Sequence, residues 1–227
     1  MKVSVVIPAA GQGKRMKIGK NKQFLLLDNK PILAHTIAQF EIDEIDSIIL
    51  VVKEGEEDYC KRLIEEYNFK KINKLVLGGE SRQESVYNGL QEVEEDIDFV
   101  LVHDGARPLL TKSSIRNIIT EVKEYKAVAL GVKVKDTIKV VNQDGQIIST
   151  LNRDDLVAIQ TPQAFEKDLI LKAYRKAKAN GIIGTDSASL LERLGSEVKV
   201  MSGSYENLKI TTPEDLDFAA KILARRK

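Results

Sequence analysis

Six short runs of apolar, largely β-branched residues are spaced along the chain: VSVVIPA, SIILVV, KLVLGG, FVLVHD, AVALGVKV and, later, EVKVM. Between them lie stretches with helical periodicity: PILAHTIAQFE, EEDYCKRLIEEYN, RQESVYNGLQEVEE and KSSIRNIITEVKEY. Several of the runs are almost uninterrupted in their apolarity, as strands buried on both faces of a parallel sheet must be. Strand–helix alternation of this kind predicts an α/β fold with helices on both faces of the sheet. Further helices are expected over EKDLILKAYRKAKANG, DSASLLERLG and the C-terminus. The last has Thr212 placed as N-cap, Pro213 in its first turn, and Glu214 and Asp215 at the positive end of the helix dipole.

One segment breaks the rhythm. DTIKVVNQDGQIISTLNRDDLVAIQTPQAF contains two strand-like runs around NQDG, and Asp144-Gly145 is a hairpin-turn signal. A two-stranded ribbon is marginal alone, so it is expected to lie on the main sheet or on another chain. An edge hairpin and an interchain arm both satisfy the pattern.

Bulk properties exclude several classes. The chain has 227 residues and a formal net charge of +1, so a dedicated duplex-binding protein is disfavoured. With 6 Tyr, 6 Phe and no Trp, it also lacks the stacking surface of a single-strand binder. Cys60 is the only cysteine, which excludes an intramolecular disulfide framework and suits a reducing compartment. It shares helical spacing with Leu63, Ile64 and Tyr67 and reads as a small buried hydrophobe. With two separated histidines it makes no zinc site. The start runs directly into a strand, with no signal-peptide pattern, and no apolar run approaches the ~20 residues of a membrane span; a cytoplasmic location is expected.

The first strand leads into AAGQGKRMKIGKNKQF, where Lys14, Arg15, Lys17, Lys20 and Lys22 gather with no acid before Asp28. Strand, glycine turn and helix together make a phosphate seat, because glycines let backbone N–H groups approach the anion. A Walker loop fails here, since Gly13-Lys14 is followed by Arg15; a dinucleotide fingerprint fails because Met16 replaces the third glycine. What remains is G-x-G-K-R with Lys22 seven residues after Arg15. That set suits a nucleoside triphosphate, because each ion pair at about 4 Å gives ~4 kcal/mol gross at an effective dielectric near 20. Lys14, Lys17 and Lys20 read as solvated surface lysines.

The blocks PAAGQGKRM, NKQF, GGESRQESV, VHDGARP, VKDTIKVV, IQTPQAF, GTDSAS and NLKITTPEDL follow in order across nearly the whole chain. In these the chain resembles the 2-C-methyl-D-erythritol 4-phosphate cytidylyltransferase family of isoprenoid biosynthesis. The resemblance implies a Rossmann-like nucleotidyltransferase fold: a mostly parallel central sheet, helices on both faces and a protruding β-arm. Residues 1–227 would then form one domain, with the arm at about 136–157 making a homodimer. It implies CTP and 2-C-methyl-D-erythritol 4-phosphate as substrates, with Mg²⁺ held mainly by the CTP phosphates rather than by protein ligands. By position, Arg15 and Lys22 would hold the triphosphate and the transition state, and Lys209 would join them in catalysis. Ala9, Ala10, Gly11, Gly13, Gly79, Glu80 and Ser85 would form the nucleotide site. Asp104, Arg107, Thr185 and Lys209 would take the phosphopolyol, with Thr137 and Arg153 reaching in from the neighbouring subunit. Some family members have proline where Asn21 stands, which predicts a looser loop here, and some have aspartate in place of Glu80.

The residues support this placement independently. The glycine loop, GGES and HDGARP each follow an expected strand, and ligands of open α/β sheets sit at strand C-terminal ends. Asp104 ends a buried apolar run, where an acid without a task is costly. His103 should point to the opposite face and His35 reads as a helix histidine; both are taken as structural. Thr185-Asp186 has the form of a helix N-cap, and NLKI reads as strand-like. The alternatives are a ribitol 5-phosphate cytidylyltransferase, an NAD-dependent dehydrogenase and a nucleotide-sensing module.

Overall fold

The computed structural model describes residues 1–11 and 21–226. Gly13, Lys14, Arg15, Lys17 and Lys20 therefore lie outside the described residues. The strands are β1 (Val3–Pro8), β2 (Leu26–Leu27), β3 (Lys30–Pro31), β4 (Ser47–Val52), β5 (Ile72–Leu77) and β6 (Phe99–Val102). They continue with β7 (Ala127–Lys133), β8 (Lys139–Val141), β9 (Ile147–Thr150), β10 (Val157–Glu166) and β11 (Lys199–Ser202). The helices are α1 (Ile32–Phe40), α2 (Glu57–Glu66), α3 (Arg82–Gln91), α4 (Lys112–Tyr125), α5 (Lys167–Ala179), α6 (Ser187–Glu192) and α7 (Pro213–Arg226).

Seven strands form the main sheet in the order β11-β7-β10-β6-β1-β4-β5. All neighbours pair in parallel except β10, which runs antiparallel to both β6 and β7. Alternate residues of each strand feed two cores. Val3, Val5 and Ile7 of β1 pack with Leu33 and Phe40 of α1, Leu63 of α2 and Ile118 of α4. Val6 packs on the other side with Val86 and Leu90 of α3, Ile170 and Tyr174 of α5 and Leu191 of α6. Each such side chain contributes roughly 1.5–3 kcal/mol relative to exposure. This is the expected α/β architecture, with a mostly parallel sheet between two helical layers. A third cluster seats α7, through Ala219, against Leu27, Ile32, Leu109 and Ile210.

Two expectations need correction. The sheet has a strand, β10, that the apolar runs did not reveal, because VAIQTPQAFE carries Gln160, Thr161, Pro162 and Gln163 at its middle. All four are buried, so polarity here does not mean exposure. Proline is normally excluded from a central strand for want of an N–H. Here the pairing with β7 jumps from Ile159 to Gln163, and with β6 it begins only at Gln163. Pro162 thus sits in the gap, where no donor is needed. Secondly, NLKI is not a strand; residues 207–210 run as a loop tied down by Ile210 N–H on the Ala106 carbonyl at 2.9 Å.

The ribbon β8–β9 closes on Asn142–Gln146, with Gly145 at φ 79° supplying the left-handed position. It forms its own two-stranded sheet and does not join the main one. Val141, Ile147 and Ile148 on it are 52%, 64% and 65% exposed.

Candidate active site

β1 is followed in chain order by β4 and β5 on one side, after which the chain returns to place β6 on the other. The crevice beyond the carboxyl ends of β1 and β6 is therefore the switch point where open α/β sheets take ligands. A cleft of about 710 Å³ lies there. Its walls come from Pro8, Ala10 and Gly11 after β1, Lys53 and Glu54 after β4, and residues 78–82 with Ser85 at the start of α3. Asp104, Gly105 and Ala106 after β6, Lys22 and Gln23, and Lys209 and Thr211 complete it.

The nucleotide-side wall is built on backbone. Ala9 N–H donates to the Val51 carbonyl at 2.7 Å and Gly78 N–H to the Val52 carbonyl at 2.8 Å. Position 78 must be glycine, since a Cβ there would lie 2.4 Å from the Ala10 Cβ. Ser81 caps α3 by accepting from Glu84 N–H, and the Ser85 hydroxyl donates to the Ser81 carbonyl at 2.9 Å. Gly79 N–H in turn donates to Ser85 Oγ at 3.1 Å. Glu80 N–H donates to the Glu84 carboxylate, and its own side chain is exposed at the rim.

The opposite wall is charged. Asp104 Oδ1 accepts from Arg82 Nε at 3.0 Å and lies 2.9 Å from its Nη2. Oδ2 lies 2.8 Å from Lys209 Nζ and 3.7 Å from Arg107 Nε. Burial alone would push this carboxyl up, but Arg82, Lys209 and Arg107 overcome it and hold the group well below the usual carboxylate range. Three cations around one carboxylate leave two positive charges in surplus at a partly desolvated surface, which is a seat for anions. Lys22, 8% exposed, adds a further cation to the cleft; its Nζ donates to the Ile210 carbonyl at 2.7 Å. The loop expected to be looser lies outside the described residues, but Asn21 at its end is itself held. Its side chain accepts from Gln23 N–H, donates to the Ala9 carbonyl at 3.1 Å and to Glu56 at 2.9 Å, and so caps a 3-10 turn over Lys22–Phe24.

Beneath the charged wall lies a closed hydrogen-bond loop. Asp104 N–H donates to Thr161 Oγ1 at 3.0 Å, and that hydroxyl lies 3.2 Å from His103 Nδ1. The Arg107 carbonyl, 3.2 Å from Nε2, can only accept, so neutral His103 carries its proton on Nε2 and Nδ1 accepts from the Thr161 hydroxyl. Burial lowers the fully enclosed His103 to about 4, so it is neutral. Arg107 Nη1 donates to the Asn207 carbonyl at 2.7 Å, and Asn207 Nδ2 to the Thr161 carbonyl at 2.9 Å. The gap in β10 thus fixes the Asp104–Arg107 turn and the loop carrying Lys209.

Of the residues named from sequence, Ala10, Gly11, Lys22, Gly79, Glu80, Ser85, Asp104 and Lys209 meet in the cleft. Arg107 lies behind Asp104, and Ala9 is buried beneath the loop. Thr185 is exposed just before the α6 N-cap Asp186; Gly184 N–H is held by Gln83 at 2.8 Å. Thr137 and Arg153 are exposed beside the ribbon, Arg153 Nη1 donating to the Lys135 carbonyl, outside this chain's cleft. Sequence reasoning missed Arg82, Gln23, Thr161 and Asn207. Arg82 was visible only as one polar residue opening an amphipathic helix; nothing in the string pairs it with Asp104. Among the described residues no cluster of three or more His, Cys, Asp or Glu side chains can hold a metal ion, and both Asp104 oxygens are engaged by cations. The donor set does not fit a protein-held divalent cation. Cys60 is buried, and burial pushes its thiol up to about 12, which removes it as a nucleophile.

The sequence pattern of the 2-C-methyl-D-erythritol 4-phosphate cytidylyltransferase family matches residues 3–225. A protein of that name from Alkaliphilus metalliredigens is 50% identical over 228 residues, covering 100% of this chain and 95% of the relative. One from Bacillus cereus is 48% identical over 225 residues, covering 99% of each. Among solved structures, the 4-diphosphocytidyl-2C-methyl-D-erythritol synthase of Anaerococcus prevotii superposes with TM-score 0.86 at 36% identity, covering 99% of both chains. The 2-C-methyl-D-erythritol 4-phosphate cytidylyltransferase of Thermus thermophilus gives 0.80 at 29% identity, covering 99% of this chain and 100% of its own.

Proposed function

The chain belongs to the 2-C-methyl-D-erythritol 4-phosphate cytidylyltransferase family, and on that premise we propose how its residues divide the work. The enzyme is a nucleotidyltransferase of isoprenoid biosynthesis. It transfers the cytidylyl group of CTP to 2-C-methyl-D-erythritol 4-phosphate, giving 4-diphosphocytidyl-2-C-methyl-D-erythritol and diphosphate. The acceptor's phosphate oxygen attacks the α-phosphorus in line, one P–O bond forms, and the bond to diphosphate breaks. A phosphomonoester is largely dianionic at neutral pH, so the nucleophile needs no general base. The barrier lies in bringing two polyanions together, which fixed cations and positioning lower.

The observation that carries this reading is the cluster at the switch point: Asp104 with Arg82, Arg107 and Lys209, and Lys22 in the same cleft with its Nζ on the Ile210 carbonyl next to Lys209. Lys22 and Arg15 take the triphosphate and the charge developing on the leaving diphosphate. Lys209 lies between the α-phosphate and the acceptor. Asp104 Oδ1 is taken up by Arg82, while Oδ2, with Lys209 as its one partner within hydrogen-bond distance, has a lone pair left to accept a polyol hydroxyl; Thr185 takes the acceptor's far side. The base rests against Ala10, Gly11, Gly79, Glu80 and Ser85, with Ala9 supporting that wall from beneath and Gly13 in the loop; the small residues admit its close approach. Thr137 and Arg153 reach a second subunit's cleft through the ribbon, which makes the working unit a homodimer. Mg²⁺, bound with CTP rather than by protein ligands, would supply charge neutralisation for the phosphates. Among the described residues no helix is long and apolar enough to cross a membrane, and the single cysteine fits a cytoplasmic enzyme.

The test is diphosphate release from CTP and Mg²⁺ with 2-C-methyl-D-erythritol 4-phosphate, and with ribitol 5-phosphate in parallel. Rapid release with the first acceptor and little with the second is expected. Preference for ribitol phosphate would reassign the acceptor, and silence with both would remove the catalytic reading.

A further inference from the structure

We propose that Gln23 is a specificity-determining residue of this cleft, reading a hydroxyl of the bound substrate pair with its carboxamide. The inference rests on the reading of the cleft given above and adds a residue to it. Gln23 is only 4% exposed, and its side chain lines the cleft. Its backbone is fixed, because the N–H donates to Asn21 Oδ1 at 3.1 Å within the capped 3-10 turn. Its Oε1 is buried with no hydrogen-bond partner.

Arg107 Nε and Asn207 Oδ1 are also buried without a hydrogen-bond partner, but neither residue lines the cleft. Among the polar side chains that do, Lys22 reaches the Ile210 carbonyl, Ser85 the Ser81 carbonyl, and Asp104 its cations. Native interiors pair nearly all such groups, and a glutamine kept only for packing would be paired or replaced by an apolar side chain. The neighbouring position has given way to it as well. At Gly105 a Cβ would fall 2.1 Å from Gln23 Oε1 and 3.1 Å from its Cδ. Residue 105, next to Asp104, thus has no side chain at the point where the unpartnered Gln23 Oε1 is seated.

The chemistry of the amide narrows its ligand. Phosphate oxygens are acceptors only, and the cleft already meets them with cations. A carboxamide presents one donating and one accepting end, and a hydroxyl complements either. Both substrates carry hydroxyls: the ribose of CTP and the polyol of the acceptor. Gln23 follows Lys22 in the chain and its carboxamide lies against Gly105, so it borders both the triphosphate side and the Asp104 side of the cleft.

The experiment is a cycle between residue and substrate. Wild type and Gln23→Leu are compared for kcat/KM with CTP, 2′-deoxyCTP and 3′-deoxyCTP, and with the acceptor and its singly deoxygenated analogues. Wild type should lose roughly tenfold or more with one of these analogues, the worth of a buried hydrogen bond. Gln23→Leu should lose a similar factor on the complete substrates and nothing further on that analogue. A deoxynucleotide showing this coupling identifies ribose; a deoxy acceptor identifies the polyol. Equal losses on every substrate, or no loss, overturn the proposal. Gln23→Met is read in the same way if the leucine variant does not fold. The cycle can also be read as affinity by titration calorimetry, which needs no turnover. Wild-type silence in the diphosphate assay would fail the catalytic reading, while calorimetric coupling would still decide the role of Gln23.

Discussion

His103 and Asp104 are adjacent, yet burial acts on them in opposite senses. The imidazole, fully enclosed, is lowered to about 4 by burial, with Asp104 and the Arg107 carbonyl opposing and the Arg107 charge assisting. Its folded value lies below the ordinary 6.5, so the unfolded chain takes up the proton first as pH falls. The neutral form's full advantage is present above about 6.5 and is lost between there and about 4. Wild-type stability should therefore fall by about 2 kcal/mol more between pH 7 and pH 5 than that of His103→Gln, read from urea midpoints. Asp104 adds a second, lower window: its depressed carboxyl stabilises fully above the ordinary aspartate value and loses that contribution as pH falls further. An equal pH response in the two proteins would show that His103 is not held neutral. Sequence order placed His103 on the face opposite Asp104, and the structure agrees. What order did not show is that Thr161, 57 positions away, joins the two.

Among the elements, α3 does the most to join the two halves of the cleft. Its cap, Ser81, fixes the turn that holds Gly79 and Ser85, and its first residue, Arg82, reaches across to Asp104. Ser81→Ala should cost about 1 kcal/mol in a denaturant midpoint. It should also raise KM for CTP, because Ser85 and Gly79 hang from the same turn. A stability loss with unchanged KM would separate the cap from the site. The amphipathic period of α3 was legible in RQESVYNGLQ, and so were the strands whose apolar runs are unbroken. β10 was not. Its buried polar residues are satisfied by partners remote in sequence, such as Gln163 with Asp186 and Ala188 N–H, and its proline by a gap in pairing. A local pattern carries no signal of either.

For the whole molecule, the exposed apolar ribbon is the feature that one chain leaves unresolved. Val141, Ile147 and Ile148 are exposed on a two-stranded sheet that pairs with no other strand among the described residues. If Arg153 serves a second subunit's cleft, Lys22→Ala and Arg153→Ala chains, each inactive, should complement when mixed. A heterodimer keeps one intact cleft of two, so activity should approach about a quarter of wild type at full subunit exchange. Verified exchange without recovery would mean that each site is built within one chain. The sequence by itself determined the alternating architecture, the position of three site loops after strands, and the ordered blocks that identify the family. Each is a local or sequential property: periodicity, turn chemistry, spacing. Only tertiary structure decided that Arg82, Arg107 and Lys209 share one carboxylate, that Thr161 and Asn207 brace it, and that Gln23, in the cleft lining, keeps a buried Oε1 with no hydrogen-bond partner. Those relations arise where strands distant in sequence end side by side, and electrostatics and hydrogen bonding depend on distance in space, not along the chain.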